Sequence, residues 1–158
     1  MTAPKKGGRR SGRRRAFEVL YGLCFAAPDD AGSLEQRFAD APDARTDDDA
    51  AEPTDDSGRE EFAWALTQGV WEHHEDIDEI VNRFSQHWKI KRIARVELTI
   101  LRVALYEMLY LDDIPTKVAI NEAVELAKRY GDENSKNFVN GILDAVARAI
   151  ENGDLRVH

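Results

Sequence analysis

The chain has one cysteine, Cys24, in 158 residues. That excludes an internal disulfide and any zinc site built on paired cysteines. A chain of this length buries roughly two thirds of its unfolded surface, so folding needs no cross-link. Cys24 lies beside Phe25 at helical spacing and is expected as a small core residue. The lack of disulfides accords with a reducing cytoplasm. Long hydrophobic runs are also missing. The densest apolar stretch, Ile93 to Leu111, holds Arg95, Glu97, Arg102 and Glu107, which a membrane span of about 20 residues carries only at high cost. The basic start meets Glu18 rather than a charge-free apolar segment, so no secretory signal is expected. Catalytic patterns are absent too. His73-His74-Glu75 lacks the spacing that sets two imidazoles on one helix face around a base, and no glycine loop has the phosphate-cradling pattern. Adjacent His87 and Trp88 read as a helix end. No enzyme activity, metal or cofactor is expected.

Period-two alternation is missing as well, and no hairpin turn separates β-branched runs. What is present has helical period. Phe17, Leu20, Tyr21, Cys24 and Phe25 share one face of a helix starting near Arg13 and stopped by Pro28. Ser33 to Gln36 and Ser57 to Glu60 have the pattern of capping boxes. Phe62, Leu66, Gly69, Val70 and His73 mark one helix, and Ile77, Ile80, Val81 and Phe84 mark a second closed by Trp88. Residues 91–111 are apolar on most sides and read as the central buried helix. Pro115 opens the next helix and Gly131 ends it. The last carries Phe138, Val139, Ile142, Leu143, Val146 and Ile150. The expected fold is all-α, with about seven helices in two packed antiparallel bundles. Residues 1–12 read as a flexible basic arm and 13–150 as one helical domain, with subdomains 13–88 and 89–150. Residues 41–58 read as an acidic disordered loop, and 151–158 as a tail.

Charge of one sign is missing from the start of the chain. No Asp or Glu precedes Glu18, while seven of the eleven residues from Lys5 to Arg15 are Lys or Arg. The rest holds 15 basic against 30 acidic residues, which with the seven basic residues of the start gives the whole chain a net charge of −8. Arginines on an arm that runs into a helix are the footprint of phosphate binding. An otherwise acidic surface repels a duplex backbone, which favours narrow contact with a single strand. A polybasic tail without a specific ligand is the other reading open at this point.

KVAINEAVELAKRYGDENSKNFVNGILDAVA, residues 117–147, with ILRVALYEMLYLDDIP before it, resembles the NusB family of bacterial transcription antitermination factors. RRSGRRRAFEVLYGL resembles the family's arginine-rich start, and FAWALTQGVWEHHEDID its middle segment. The likeness covers residues 13–27 and 60–148. It implies a helical fold without catalysis or cofactor. It also implies binding of boxA single-stranded RNA of ribosomal RNA transcripts, together with NusE (ribosomal protein S ten). NusA, NusG and RNA polymerase join in a larger cytoplasmic complex that supports ribosomal RNA transcription and processing. The residues implied for RNA are Arg9, Arg10, Arg13, Arg14, Arg102, Lys117 and Phe138, with Glu97 facing the protein partner. Leu98, Thr116 and Asn134 depart from the family's usual residues. Arg102 has a second reading as a charge paired with an acid inside the domain, and Phe138 as core. A self-associating helical interaction module, with RNA binding secondary, is the alternative function, and a homodimer stays open.

Overall fold

The computed structural model describes residues 8–42, 56–85 and 89–158. Six α-helices and one 3₁₀ turn lie among them, and no strand. They are α1 (Arg9–Leu23), α2 (Ala31–Asp40), α3 (Asp56–Phe84), the 3₁₀ turn Ile90–Arg92, α4 (Arg95–Tyr110), α5 (Thr116–Tyr130) and α6 (Ser135–Glu151). The chain divides into two compact units, residues 1–71 and 72–158, and the division falls inside α3. The division expected near Trp88 lies outside the described residues, as do the arm's residues 1–7 and residues 43–55 of the acidic loop.

In the first unit, α1 begins four residues before its expected start. Gly8 adopts φ +92°, a left-handed conformation that glycine alone adopts without strain. A Cβ on Gly12 would lie 3.0 Å from the Arg59 carbonyl oxygen and 3.1 Å from Phe62 Cδ1. Glycines that read as arm flexibility are close-approach positions against α3. Val19, Phe38 and Ala63 form a small apolar cluster, with Trp64 packed edge-on to Phe38 at 5.2 Å. Phe17, Leu34 and Leu66 are almost wholly buried. Cys24, expected in the core, is the half-buried C-cap of α1, and Phe25 beyond it is 59% exposed. The helix runs out before the fifth residue of the apolar stripe, so the stripe overstates the core. Asp30, not Ser33, caps α2: its carboxylate accepts from the Ser33 amide at 2.7 Å. The second expected capping box also gives way, because Ser57 lies inside α3.

The second unit holds the largest core. In α4, Leu98 to Leu101, Val103 to Leu105 and Glu107 to Leu109 are all buried. Each large apolar side chain so placed contributes about 1.5–3 kcal/mol. Helices α4, α5 and α6 pack pairwise on one another. Gly131 ends α5 with extended backbone rather than the left-handed stop expected. Glycine is needed there because a Cβ would collide with the Ser135 side chain and sit 2.9 Å from the Ala127 carbonyl oxygen. Two helices expected over 57–88 are one helix of 29 residues. Phe62, Leu66, Val70, Ile77 and Val81 keep a single period, and the polar run from Trp71 to Asp76 contains no breaker.

Candidate nucleic-acid interface

The arginines of α1 divide by face. Arg9 and Arg13, one turn apart, both lie over the Phe62 ring, at 5.2 and 5.3 Å from its centroid. Arg13 is 4% exposed, which makes it part of the wall between α1 and α3. Arg15 is also turned inward. It donates to the carbonyls of Phe38 (3.0 Å) and Ala41 (3.4 Å), stands 3.1 Å from the Glu60 carboxylate, and lies over the Phe38 ring at 4.5 Å. Arg59, on α3, donates to the Ser11 hydroxyl and to Glu60 at 3.0 Å. Glu60 thus answers two inward arginines. Arg10 is exposed and Arg14 half-buried, and their spacing of four sets them on one side of the helix.

The start of α1 compounds this charge. No acidic residue lies in its first turn, and no side chain caps it. The first-turn amides carry the positive end of the helix dipole. Arg9 and Arg10 therefore sit where a helix already attracts anions, at a cost in local stability of a few tenths of a kcal/mol each. Such a helix start suits an anion such as phosphate and offers nothing that reads a base.

The remaining candidates belong to the second unit. Arg102 reaches α3, where Nε and Nη2 each donate to a different Asp78 carboxylate oxygen at 2.8 Å. This two-pronged pair is one-fifth exposed on both sides, and matches the reading of Arg102 as an internally paired charge. Lys117 is exposed in the first turn of α5, and Phe138 is half-buried in the first turn of α6. Glu97, half-buried at the start of α4, accepts from the Ser135 hydroxyl at 2.9 Å. Asp132 accepts from the amides of Asn134 (2.9 Å) and Ser135 (3.2 Å), so Glu97 belongs to the network that closes the start of α6. Leu98 is buried, Thr116 opens α5 and Asn134 precedes α6.

Two features escaped the sequence pattern. Arg15 and Arg59 are structural arginines, visible in sequence only through the acid at Glu60. Tyr106 and Tyr110, one turn apart on α4, stack with His73 of α3. Among the described residues no cluster of His, Cys, Asp or Glu is arranged to hold a metal, and no helix is long and apolar enough to cross a membrane.

The NusB family model matches residues 10–148. The transcription antitermination protein NusB of Nitratidesulfovibrio vulgaris, strain Miyazaki F, is 49% identical over 155 residues, covering 96% of this chain and 94% of that protein. A crystal structure of T. maritima NusB superposes with a TM-score of 0.73 at 34% identity, over 98% of this chain and all of that one. A crystal structure of antitermination factors NusB and NusE in complex with dsRNA gives 0.70 at 28% identity, over 89% of this chain and 96% of that chain.

Proposed function

Because the chain belongs to the NusB family, we propose that it is an RNA-binding transcription antitermination factor acting in the cytoplasm. Its ligand is the boxA element of ribosomal RNA transcripts, and NusE, ribosomal protein S ten, binds with it. NusA, NusG and RNA polymerase complete the assembly. The carrying observation is the start of α1. Arginines occupy an uncapped helix end with no acid in its first turn, on a chain that is otherwise acidic. Arg9, Arg10 and Arg14 supply phosphate contacts, and Arg13 holds α1 against α3. Lys117 adds charge in the second unit. Arg102, held by Asp78, presents a fixed guanidinium edge, and Phe138 offers a ring to a base. Glu97 faces the basic ribosomal protein, where charge complementarity speeds and orients association. The action is binding, and the effect on transcription follows from the assembly.

Fluorescence anisotropy tests the reading. A labelled boxA RNA, a scrambled RNA of equal length and a duplex form are titrated with the protein over a salt series, with and without NusE. The expected result is preference for boxA, tightened by NusE, with affinity falling steeply as salt rises. Equal binding to all three RNAs in the presence of NusE would reject it.

A further inference from the structure

A ladder of near-parallel rings in the second unit has no part in the proposed RNA contacts. Tyr110 is its centre. His73 lies 4.3 Å from it at 25°, Tyr106 5.2 Å at 17°, and His158 4.9 Å at 10°. His158 arrives from the tail. Gly153, at φ +77°, ends α6, and the amides of Asp154 and Leu155 return to the Ala149 carbonyl. The His158 amide then donates to the Leu109 carbonyl at 2.7 Å, which lays the imidazole over Tyr110. His158 is exposed, whereas His73, Tyr106 and Tyr110 are half-buried.

The surroundings of this shelf are acidic. Glu72 and Asp76 are exposed on the α3 turn that carries His73. Burial pushes the Tyr106 phenol up, and the Glu72 charge adds to that. Burial, Asp76 and Tyr106 do the same for Tyr110. Both carboxylates therefore lie within electrostatic reach of the rings. A nucleic-acid strand would bring phosphates against them, whereas a cation gains from the carboxylates and the ring faces together. The planar guanidinium stacks on aromatic rings as the imidazole does here, and an ammonium does not. Tyr106 follows Glu97 by nine residues, about two and a half turns, so the shelf is on the opposite side of α4 from Glu97.

We propose that the Tyr106–Tyr110 shelf, rimmed by Glu72 and Asp76, is a docking site for an arginine side chain of a basic protein partner, and that His158 is its internal occupant. The tail competes with the partner and sets the threshold for docking. The site shares no residue with the arginines of α1, so its failure leaves the RNA reading untouched.

The test uses the full chain and a fluorescent peptide of alternating arginine and glycine. The same peptide with lysine for arginine and a single-stranded oligoadenylate are the comparison probes. His158→Ala is expected to bind the arginine peptide about three- to tenfold more tightly than the parent, in the range of an exposed to partly desolvated cation–π contact. Tyr110→Ala is expected to lose that binding. The double variant Glu72→Gln/Asp76→Asn, changed only at exposed positions, is expected to weaken it by a similar factor and keeps the test informative if Tyr110→Ala fails to fold. Undiminished binding by the double variant would overturn the proposal. So would tighter binding of oligoadenylate than of the arginine peptide by His158→Ala, since that outcome would make the shelf a base-stacking surface.

Discussion

Helices α1 and α6 begin in opposite ways. At α6, the Asp132 carboxylate accepts two amides, and Ser135, almost wholly buried, ties that turn to Glu97. At α1, Gly8 precedes the helix without a side-chain cap, and the following residues are Arg9 and Arg10. One start is neutralised from within, while the other adds positive charge to the positive end of the dipole. Stability alone would favour the first arrangement at both places. The second leaves a positive field of the kind that a phosphate would complete. The inward arginines make the same point from the other side. Arg15 meets Glu60 and two carbonyls, so a guanidinium that serves packing is given its partners inside the fold.

The largest effect is expected from breaking the inward set. Arg15→Ala leaves Glu60 and the two carbonyls without a donor they now use, and removes the group over Phe38. A loss of about 3 kcal/mol is expected in urea unfolding, against less than about 0.5 kcal/mol for exposed Arg10→Ala. Equal losses would show that the two faces of α1 do not differ in role.

Next in size is the basic start of α1. Changing Arg9, Arg10 and Arg13 together to Ala is expected to weaken RNA binding at least about tenfold. It should also flatten the slope of log affinity against log salt by about 0.7 for each single-strand phosphate that is no longer neutralised. Because Arg13 is buried, the pair Arg9→Ala/Arg10→Ala provides the control with the wall intact. An unchanged slope in both variants would remove α1 from the RNA interface.

The other helix start yields a smaller change. Ser135→Ala removes the hydroxyl that donates to Glu97 and accepts from the Asp132 amide, for about 1–2 kcal/mol of stability. Glu97→Lys loses the same bond and also reverses a charge. If Glu97 faces NusE, calorimetry will show Glu97→Lys weakening the complex well beyond Ser135→Ala. Matching losses would reduce Glu97 to an internal support.

Much of this contrast was legible in sequence, and the gaps have physical causes. Apolar spacing located α4, α5 and α6, because one face of each must be buried whatever it packs against. Polar segments were harder. Gly8 to Gly12 carry no apolar signal, yet they form the first turn of α1, because the missing Cβ at Gly12 admits the α3 backbone. The run from Trp71 to Asp76 suggested a break, but polarity without proline or glycine only marks a face turned to water. The Arg102–Asp78 pair joins residues 24 positions apart, and no local pattern reports a partner at that distance. Charge count found the arginines of α1, but only packing could separate Arg15 from Arg10.

A third helix start, that of α2, gives the smallest effect and tests the capping logic by pH. The Ser33 amide holds the Asp30 carboxyl below its ordinary value of 3.8. The native state therefore binds fewer protons at this site than the unfolded chain. The stabilisation is fully present above the unfolded carboxyl's range, and is lost as pH falls through that range to the lower native value. Asp30→Asn keeps an acceptor for the Ser33 amide and removes the proton linkage. The variant is expected to show a shallower fall of the urea midpoint below about pH 4 than the parent, while Asp30→Ala is weaker at every pH. Superimposable acid limbs for parent and Asp30→Asn would mean that the charge adds nothing to the cap. A negative charge would then be of no value even at an exposed helix start that accepts one, and the positive start of α1 would need an explanation other than attraction for an external anion.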